Sequence, residues 1–130
     1  MKYRKGYKYQ LVEDESIKLD FSCPDIITEY IEIIKGVLTA KKGYAWDGCS
    51  GPSWDDKTNM RGGLFHDAMY QLIRMGLLGM GYRHQADKLL RTVCREDGMN
   101  WFRAWYYFEG VDHFAKFAAK GNPYPILTAP

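Results

Sequence analysis

No stretch of this chain is apolar for long enough to cross a bilayer. Nothing in it approaches the roughly 18 consecutive apolar residues that a membrane-spanning helix requires. The opening MKYRKGYKY carries charge and tyrosine where a secretory leader carries an apolar core, so no signal peptide is expected. Cysteine is scarce and odd in number, at positions 23, 49 and 94, without the paired spacing of a zinc site or a disulfide framework. Free thiols and synthesis in a reducing cytosol are therefore expected. Cys49 has no base beside it in the sequence, so it is not read as a nucleophile.

An excess of positive charge is also lacking. The 18 Lys and Arg against 16 Asp and Glu leave a net charge of +2, which argues against nucleic acid as the partner. The basic, tyrosine-rich N-terminus reads as a solvated strand edge, where lysine discourages unwanted pairing. Histidine is as rare as cysteine, with three in the chain, and His66 is the first of them. A metal phosphohydrolase of the His…His-Asp…Asp type needs a histidine upstream of its His-Asp pair, and none is present.

What remains is an ordinary globular composition of 130 residues, 46% apolar and 26% charged, enough for one domain with a usable core. Residues 1–46 read as β. KYRKGYKYQLV and IKLDFS flank an acidic turn, EDES, and TEYIEII and VLTAKKGYAW form a hairpin about a Lys-Gly turn. Cys23-Pro24-Asp25 marks a break between two strand pairs. Residues 47–59 lack periodicity and are rich in Gly, Pro and Asp, so they read as a loop. Three helices follow. The first spans about residues 60–78, with Leu64, Phe65, Ala68, Met69, Leu72 and Ile73 on one apolar face. The second spans about 82–96, with Ala86, Leu89, Leu90, Val93 and Cys94 inward and Gly98 as its stop. The third spans about 100–120 and holds Trp101, Phe102, Trp105, Tyr106 and Phe108 as expected core, before an irregular tail at 121–130. Strands followed by helices make the fold class α+β.

His66, Asp67, Tyr70 and Arg74 fall on one sector of the first helix. Arg83, Asp87 and Arg91 line an edge of the second, and a short Gly-rich connection makes the two helices antiparallel neighbours. Asp87 can then meet His66. A carboxylate on one imidazole nitrogen sets the tautomer and leaves the other nitrogen as a base. Asp67 would face the loop that opens at Asp47, where Gly48 and Gly51 let backbone carbonyls approach an ion. Calcium accepts that mixture of oxygens. Asp87 can instead pair with Arg83 or Arg91, and Asp47 can simply shape a turn. His84 and His113 read as exposed helix residues.

The run WDGCSGP, then FHDAMY, then RHQADKLL, then an aromatic-rich helix resembles the small prokaryotic type of phospholipase A2 over roughly residues 44–117. The whole chain also resembles a domain family frequent in tailed phages, with N-terminal strands, an Asp-Gly loop, His-Asp-x-x-Tyr and a later Ala-Asp. The first resemblance implies an ester hydrolase whose helical half is phospholipase A2-like. His66 would activate water, and Asp87 would orient His66. Asp67, Asp47 and the Gly48 backbone would hold calcium. Tyr70 would brace the helix pair or the Asp through its hydroxyl, with Arg83 in support. Trp46, Trp54 and Tyr82 would form an apolar mouth for acyl chains. The partner would be a lipid or membrane surface, and a protein partner is also open. A phage source would add the host cytoplasm or the virion as the compartment. The chain offers no disulfide pair of the kind that pins the secreted enzymes. A non-enzymatic phage protein, structural or directed against host defence, and a hydrolase acting on cell-wall or other non-lipid substrate both remain open.

Overall fold

A computed structural model of the chain describes residues 1–5, 9–46, 57–106 and 108–110. Seven short strands precede the helices: β1 (Tyr3–Lys5), β2 (Tyr9–Leu11), β3 (Glu15–Lys18), β4 (Ile26–Ile27), β5 (Ile31–Ile34), β6 (Val37–Ala40) and β7 (Ala45–Trp46). Helices α1 (Met60–Arg74) and α2 (Arg83–Glu96) follow, with a single 3-10 turn at Met80–Tyr82 between them. A third helix, α3, is described at 101–106 and 108–110. The fold class is α+β, with antiparallel strands before helices, as the sequence implies. Among the described residues no helix is long and apolar enough to cross a membrane.

The strands build two antiparallel sheets, in the orders β1-β2-β7 and β3-β6-β5-β4. The hairpin expected around Lys-Gly is β5-β6, with Ile34 opposite Val37. Both turn residues have positive φ, 50° at Lys35 and 77° at Gly36. That pair of left-handed residues matches the right-handed twist of the strands. Glycine takes the conformation freely, and Asp25 holds the strained Lys35 by accepting its backbone N–H at 3.0 Å. Alternation then decides the faces. Ile31 and Ile33 sit opposite Ala40 and Leu38, and all four are buried on the side that meets α1. Ile34 projects outward and is exposed.

Three readings of the β half change. KYRKGYKYQLV is two antiparallel strands rather than one, with β1 on the sheet edge and Tyr3 opposite Leu11. The acidic turn ends earlier than EDES suggests, because Glu15 and Ser16 already belong to β3. VLTAKKGYAW does not stay in one sheet. After Ala40 the chain bends at Gly43 (φ 94°), where a Cβ would meet the Tyr30 ring at 3.1 Å, and β7 then pairs with β2. The bend is tied down by Gly43 N–H donating to the Leu11 carbonyl and Leu11 N–H to the Tyr44 carbonyl, both at 2.9 Å.

Helix α1 stops four residues short of the expected end at Leu78. Gly76 adopts φ 75°, its N–H donates to Ile73 O at 3.0 Å, and Leu77 N–H donates to Leu72 O at 3.0 Å. This left-handed cap satisfies carbonyls the helix end would otherwise orphan. Gly98 closes α2 the same way, with φ 101° and Met99 N–H donating to Cys94 O at 2.9 Å. The two antiparallel helices also clamp at their far ends. Arg61 of α1 donates from Nε to Asp97 Oδ2 at 3.0 Å and from Nη2 to Glu96 Oε2 at 2.9 Å, just past and at the end of α2.

The aromatic residues of α3 depart most from expectation. Phe108 and Ala104 face inward, but Trp101, Phe102, Trp105 and Tyr106 are 40–66% exposed. The expected core of this helix is therefore its narrow Ala104–Phe108 side. His84 is exposed as expected, and its ring meets the edge of Phe108 at 5.6 Å; His113 lies outside the described residues.

The helix pair depends on one small residue. A Cβ at Gly62 would lie 2.7 Å from Cys94 Sγ and 3.2 Å from the Leu90 carbonyl oxygen, so nothing larger than hydrogen fits without movement. Gly62→Ala should lower stability by about 1–3 kcal/mol through overpacking, despite alanine's better helix propensity. Gly81→Ala, with open space around its added carbon, should stay within about 0.5 kcal/mol. Urea denaturation of the two variants against the parent checks the contrast.

Candidate functional site

The 21-residue offset from His66 to Asp87 brings the two side chains face to face across the antiparallel pair. His66 Nε2 lies 2.8 Å from Asp87 Oδ1. The Tyr70 hydroxyl, one turn further along α1, donates to the same oxygen at 2.7 Å. The His66 and Tyr70 rings lie 4.3 Å apart, so the aromatic body of one helps hold the other. Asp87 has no solvent exposure and His66 only 6%. A buried carboxylate is tolerated when hydrogen-bonded to polar or charged partners, and here two donors from one helix serve a single oxygen. The apolar stripes of the same two helices are buried in one core: Leu64, Phe65, Ala68 and Met69 on α1, Ala86 and Leu89 on α2.

The bonding sets the imidazole tautomer. An ionised Asp87 only accepts, so Nε2 carries the proton toward it. Nδ1 then presents its lone pair when the ring is neutral. The nearest carboxylate to it is Asp67, with Oδ1 at 3.8 Å, too long for a hydrogen bond but within the range of its charge. The Asp67 side chain is about a quarter exposed, unlike Asp87. Two adjacent residues of one helix thus have separate surroundings: His66 is held from behind, and Asp67 stands at the more open side.

Burial alone, the largest single influence, would push the His66 pKa down. The closeness and charge of Asp67, with the hydrogen bond and charge of Asp87, together outweigh it, so the ring holds its proton to higher pH than an ordinary histidine.

The other expected residues divide. Arg83 lies one turn before Asp87 on α2, but among the described residues its buried Nη1 has no hydrogen-bond partner and neither does Asp87 Oδ2. The arginine pairings considered for Asp87 are not made: among the described residues its partners are His66 and Tyr70. Arg91 lies instead over the Phe108 ring, 4.6 Å from its centre. Arg74 is exposed, so the polar sector of α1 splits, with His66 buried against α2 and Arg74 in solvent. Trp46 is buried at 2% exposure against Tyr3 and Tyr9, with ring centres 5.8 and 5.7 Å away. It serves the core, and lining a substrate mouth would require that packing to open. Tyr82 is half-buried near Phe21, 6.2 Å between ring centres. Asp47, Gly48, Cys49, Gly51 and Trp54 lie outside the described residues.

For a metal, Asp67 is the one member of the expected calcium set that the structure describes. Its partly exposed carboxylate suits a hard cation. Among the described residues no group of three or more His, Cys, Asp or Glu side chains is placed to share an ion. Any remaining oxygens would come from the loop.

Sequence reasoning missed the Arg61 clamp and the Gly62 contact. Their local signal, the tripeptide Arg61-Gly62-Gly63 at a helix start, is legible only once the partner helix is placed. Comparison with known proteins adds nothing to the site: no family model, no curated protein and no solved structure matches the chain.

The raised His66 pKa makes stability depend on pH in a definite sense. A group whose pKa is higher folded than unfolded stabilises fully below its unfolded value, about 6.5 for histidine. That contribution is lost as pH rises through the folded value. Stability of the parent, measured in chelator by urea denaturation, should therefore fall from pH 6 upward relative to His66→Gln. The imidazole resonances should titrate above the ordinary midpoint, and Asp67→Asn should lower that midpoint.

Proposed function

We propose that the chain is a small phospholipase A2-like ester hydrolase, phage-encoded in keeping with its second resemblance, with His66 as general base. The observation that carries this reading is the double donation to Asp87 Oδ1 from His66 Nε2 and the Tyr70 hydroxyl. It fixes the ring so that Nδ1, on the Asp67 side, is the atom available for proton transfer. A water beside Nδ1 would lose its proton to that nitrogen as its oxygen attacks the ester carbonyl carbon. The imidazolium so formed is stabilised by the Asp87 carboxylate bonded to it. The proton then passes to the departing alkoxide as the ester C–O bond breaks, giving a carboxylic acid and an alcohol. Positioned base catalysis of this kind contributes about 10²–10⁴-fold.

Asp67 would hold calcium, together with Asp47 and the Gly48 carbonyl. Calcium bound there supplies electrophilic stabilisation of the oxyanion. The neutral ring is the active form, so the rate should rise with pH through the His66 titration.

The depth of burial favours a second reading. A carboxylate with no exposure and a histidine with 6% also make a structural lock between α1 and α2, as a non-enzymatic protein would keep it. The two readings part in one experiment. Fatty-acid release from phosphatidylglycerol vesicles is measured for the parent, His66→Ala, Asp87→Asn and Tyr70→Phe, each with calcium and with chelator. Catalysis predicts losses of about 10²-fold or more for His66→Ala and Asp87→Asn, and about tenfold for Tyr70→Phe. Calcium should also raise the melting temperature of the parent but not of Asp67→Asn. Background release from the parent, together with a sharp loss of stability in His66→Ala, would establish the structural lock instead.

A further inference from the structure

Four large rings of α3 lie together in water. Trp101 and Phe102 are 65% and 66% exposed, Tyr106 is 54% and Trp105 is 40% exposed. They fall within an arc of about 140° on the helix. The Trp101 and Trp105 rings lie nearly parallel, 9° between planes and 6.5 Å between centres, and Phe102 adjoins Trp105 at 6.0 Å. Rings of this size at these exposures leave on the order of 500 Å² of aromatic surface uncovered. Soluble monomers rarely leave so large an apolar patch without a use for it.

Two opposite charges, one at each end of the face, identify what covers it. Arg95 is exposed, and its Nη1 donates to the Met99 carbonyl at 2.7 Å, which anchors the guanidinium at the start of α3. Glu109 is exposed one turn beyond Trp105, within the arc of the rings. About ten residues, or roughly 15 Å of helix, separate Met99 from Glu109. Among the described residues neither Arg95 nor Glu109 has an oppositely charged partner. A carboxylate among the rings is costly to bury in anything apolar, and an anionic surface repels it. A face with a cation at one end, a carboxylate at the other and rings between them is complementary to itself. A second copy turned over about a twofold axis beside Ala104 brings Glu109 to Arg95 on both sides at once. Tryptophan, tyrosine and arginine are also the residues that anchor protein interfaces. A shallow depression of about 470 Å³ beside the rings, lined by Arg91, Arg95, Ala104 and both tryptophans, offers a recess for a ring of the second copy. A cavity of about 150 Å³ already accepts benzene. Glu96 at its rim does not compete for Arg95, since it is paired with Arg61 at 2.9 Å.

We propose that this face joins two copies of the chain, α3 against α3, antiparallel about a twofold axis. Phe102 of each copy faces Tyr106 of the other, the two Trp105 rings meet near the axis, and Arg95 of each copy pairs with Glu109 of the other. The rings, with Arg91, Arg95 and Glu109 at their margins, approach the roughly 800 Å² per partner of a stable interface. The pairing goes beyond the hydrolase reading and does not need it, since it uses none of the His66 network.

Sedimentation equilibrium of the full chain over a wide concentration range tests the pairing. The parent should follow a monomer–dimer equilibrium that closes at two copies, with tryptophan emission shifting to the red on dilution. Trp101→Ser combined with Phe102→Ser should weaken the dimer by about hundredfold or more, because each substitution removes a ring from both copies. Both positions are exposed, so helicity should hold. Glu109→Arg should weaken it by about tenfold or more, by setting a second cation against Arg95. Mixing Glu109→Arg with Arg95→Glu should restore a dimer of one copy of each, since every cross pair is again a cation with an anion. Both charge variants are at exposed positions, and circular dichroism checks that each is folded. A parent that stays monomeric would overturn the proposal, whether or not it binds phosphatidylglycerol vesicles. So would a dimer indifferent to the double ring variant, which would place the contact elsewhere. Association that grows past two copies would overturn the twofold arrangement, and a mixture of folded charge variants that does not recover would overturn the antiparallel pairing. Fatty-acid release by a monomeric parent would remove the pairing and leave the hydrolase reading; a dimer without fatty-acid release would do the reverse.

Discussion

A carboxylate wholly removed from solvent holds the helical half of this protein in register. Asp87 is tolerable at that depth because His66 and Tyr70 both reach the same oxygen from the facing helix. Those bonds set how far α1 slides along α2 and how it is rotated. The apolar stripes of the two helices can give affinity without fixing either quantity, since hydrophobic contact has no direction. The network adds the direction. Gly62 near one end of the pair lets the helices approach closely, and the Arg61 clamp to Glu96 and Asp97 closes the same end.

The same constraint organises the chemistry. Because Asp87 claims Nε2, the proton-accepting nitrogen of a neutral His66 is Nδ1, and its neighbour is Asp67. The β half contributes by covering the other side of α1, with Ile31, Ile33, Leu38 and Ala40 on the buried face of the larger sheet. That support keeps α1 from rotating away from α2. The smaller sheet buries Trp46 against Tyr3 and Tyr9, immediately before Asp47 and Gly48 in the sequence.

Much of the candidate site was legible in one dimension. His66 and Tyr70 lie one helical turn apart, and Asp87 follows across a short glycine-rich connection, so an antiparallel pair brings all three together. Alternation in IEII and VLTA and the periodicity of residues 64–72 were equally plain, because each apolar pattern admits one buried face. The aromatic residues of α3 misled for a physical reason. Composition says that aromatic side chains seek burial, but a helix docked through Ala104 and Phe108 has only one inner side, and four of its rings fall outside it. The end of α1 misled in a similar way: apolar residues continue to Leu78, while the left-handed Gly76 turns the chain before they do.

The sequence by itself determined the order of strands then helices, the apolar faces of β5, β6, α1 and α2, the Lys35-Gly36 turn and that Asp87 comes within reach of His66, with Arg83 and Arg91 as its other candidate partners. These depend on local periodicity, local turn chemistry and a short connection. Only the tertiary structure decided that the VLTAKKGYAW run passes between two sheets, that Tyr70 and His66 share one Asp87 oxygen, that Trp46 belongs to the core, and that the α3 rings face solvent. Each of those depends on which surfaces are left uncovered once every element has packed, and no window of sequence contains that information.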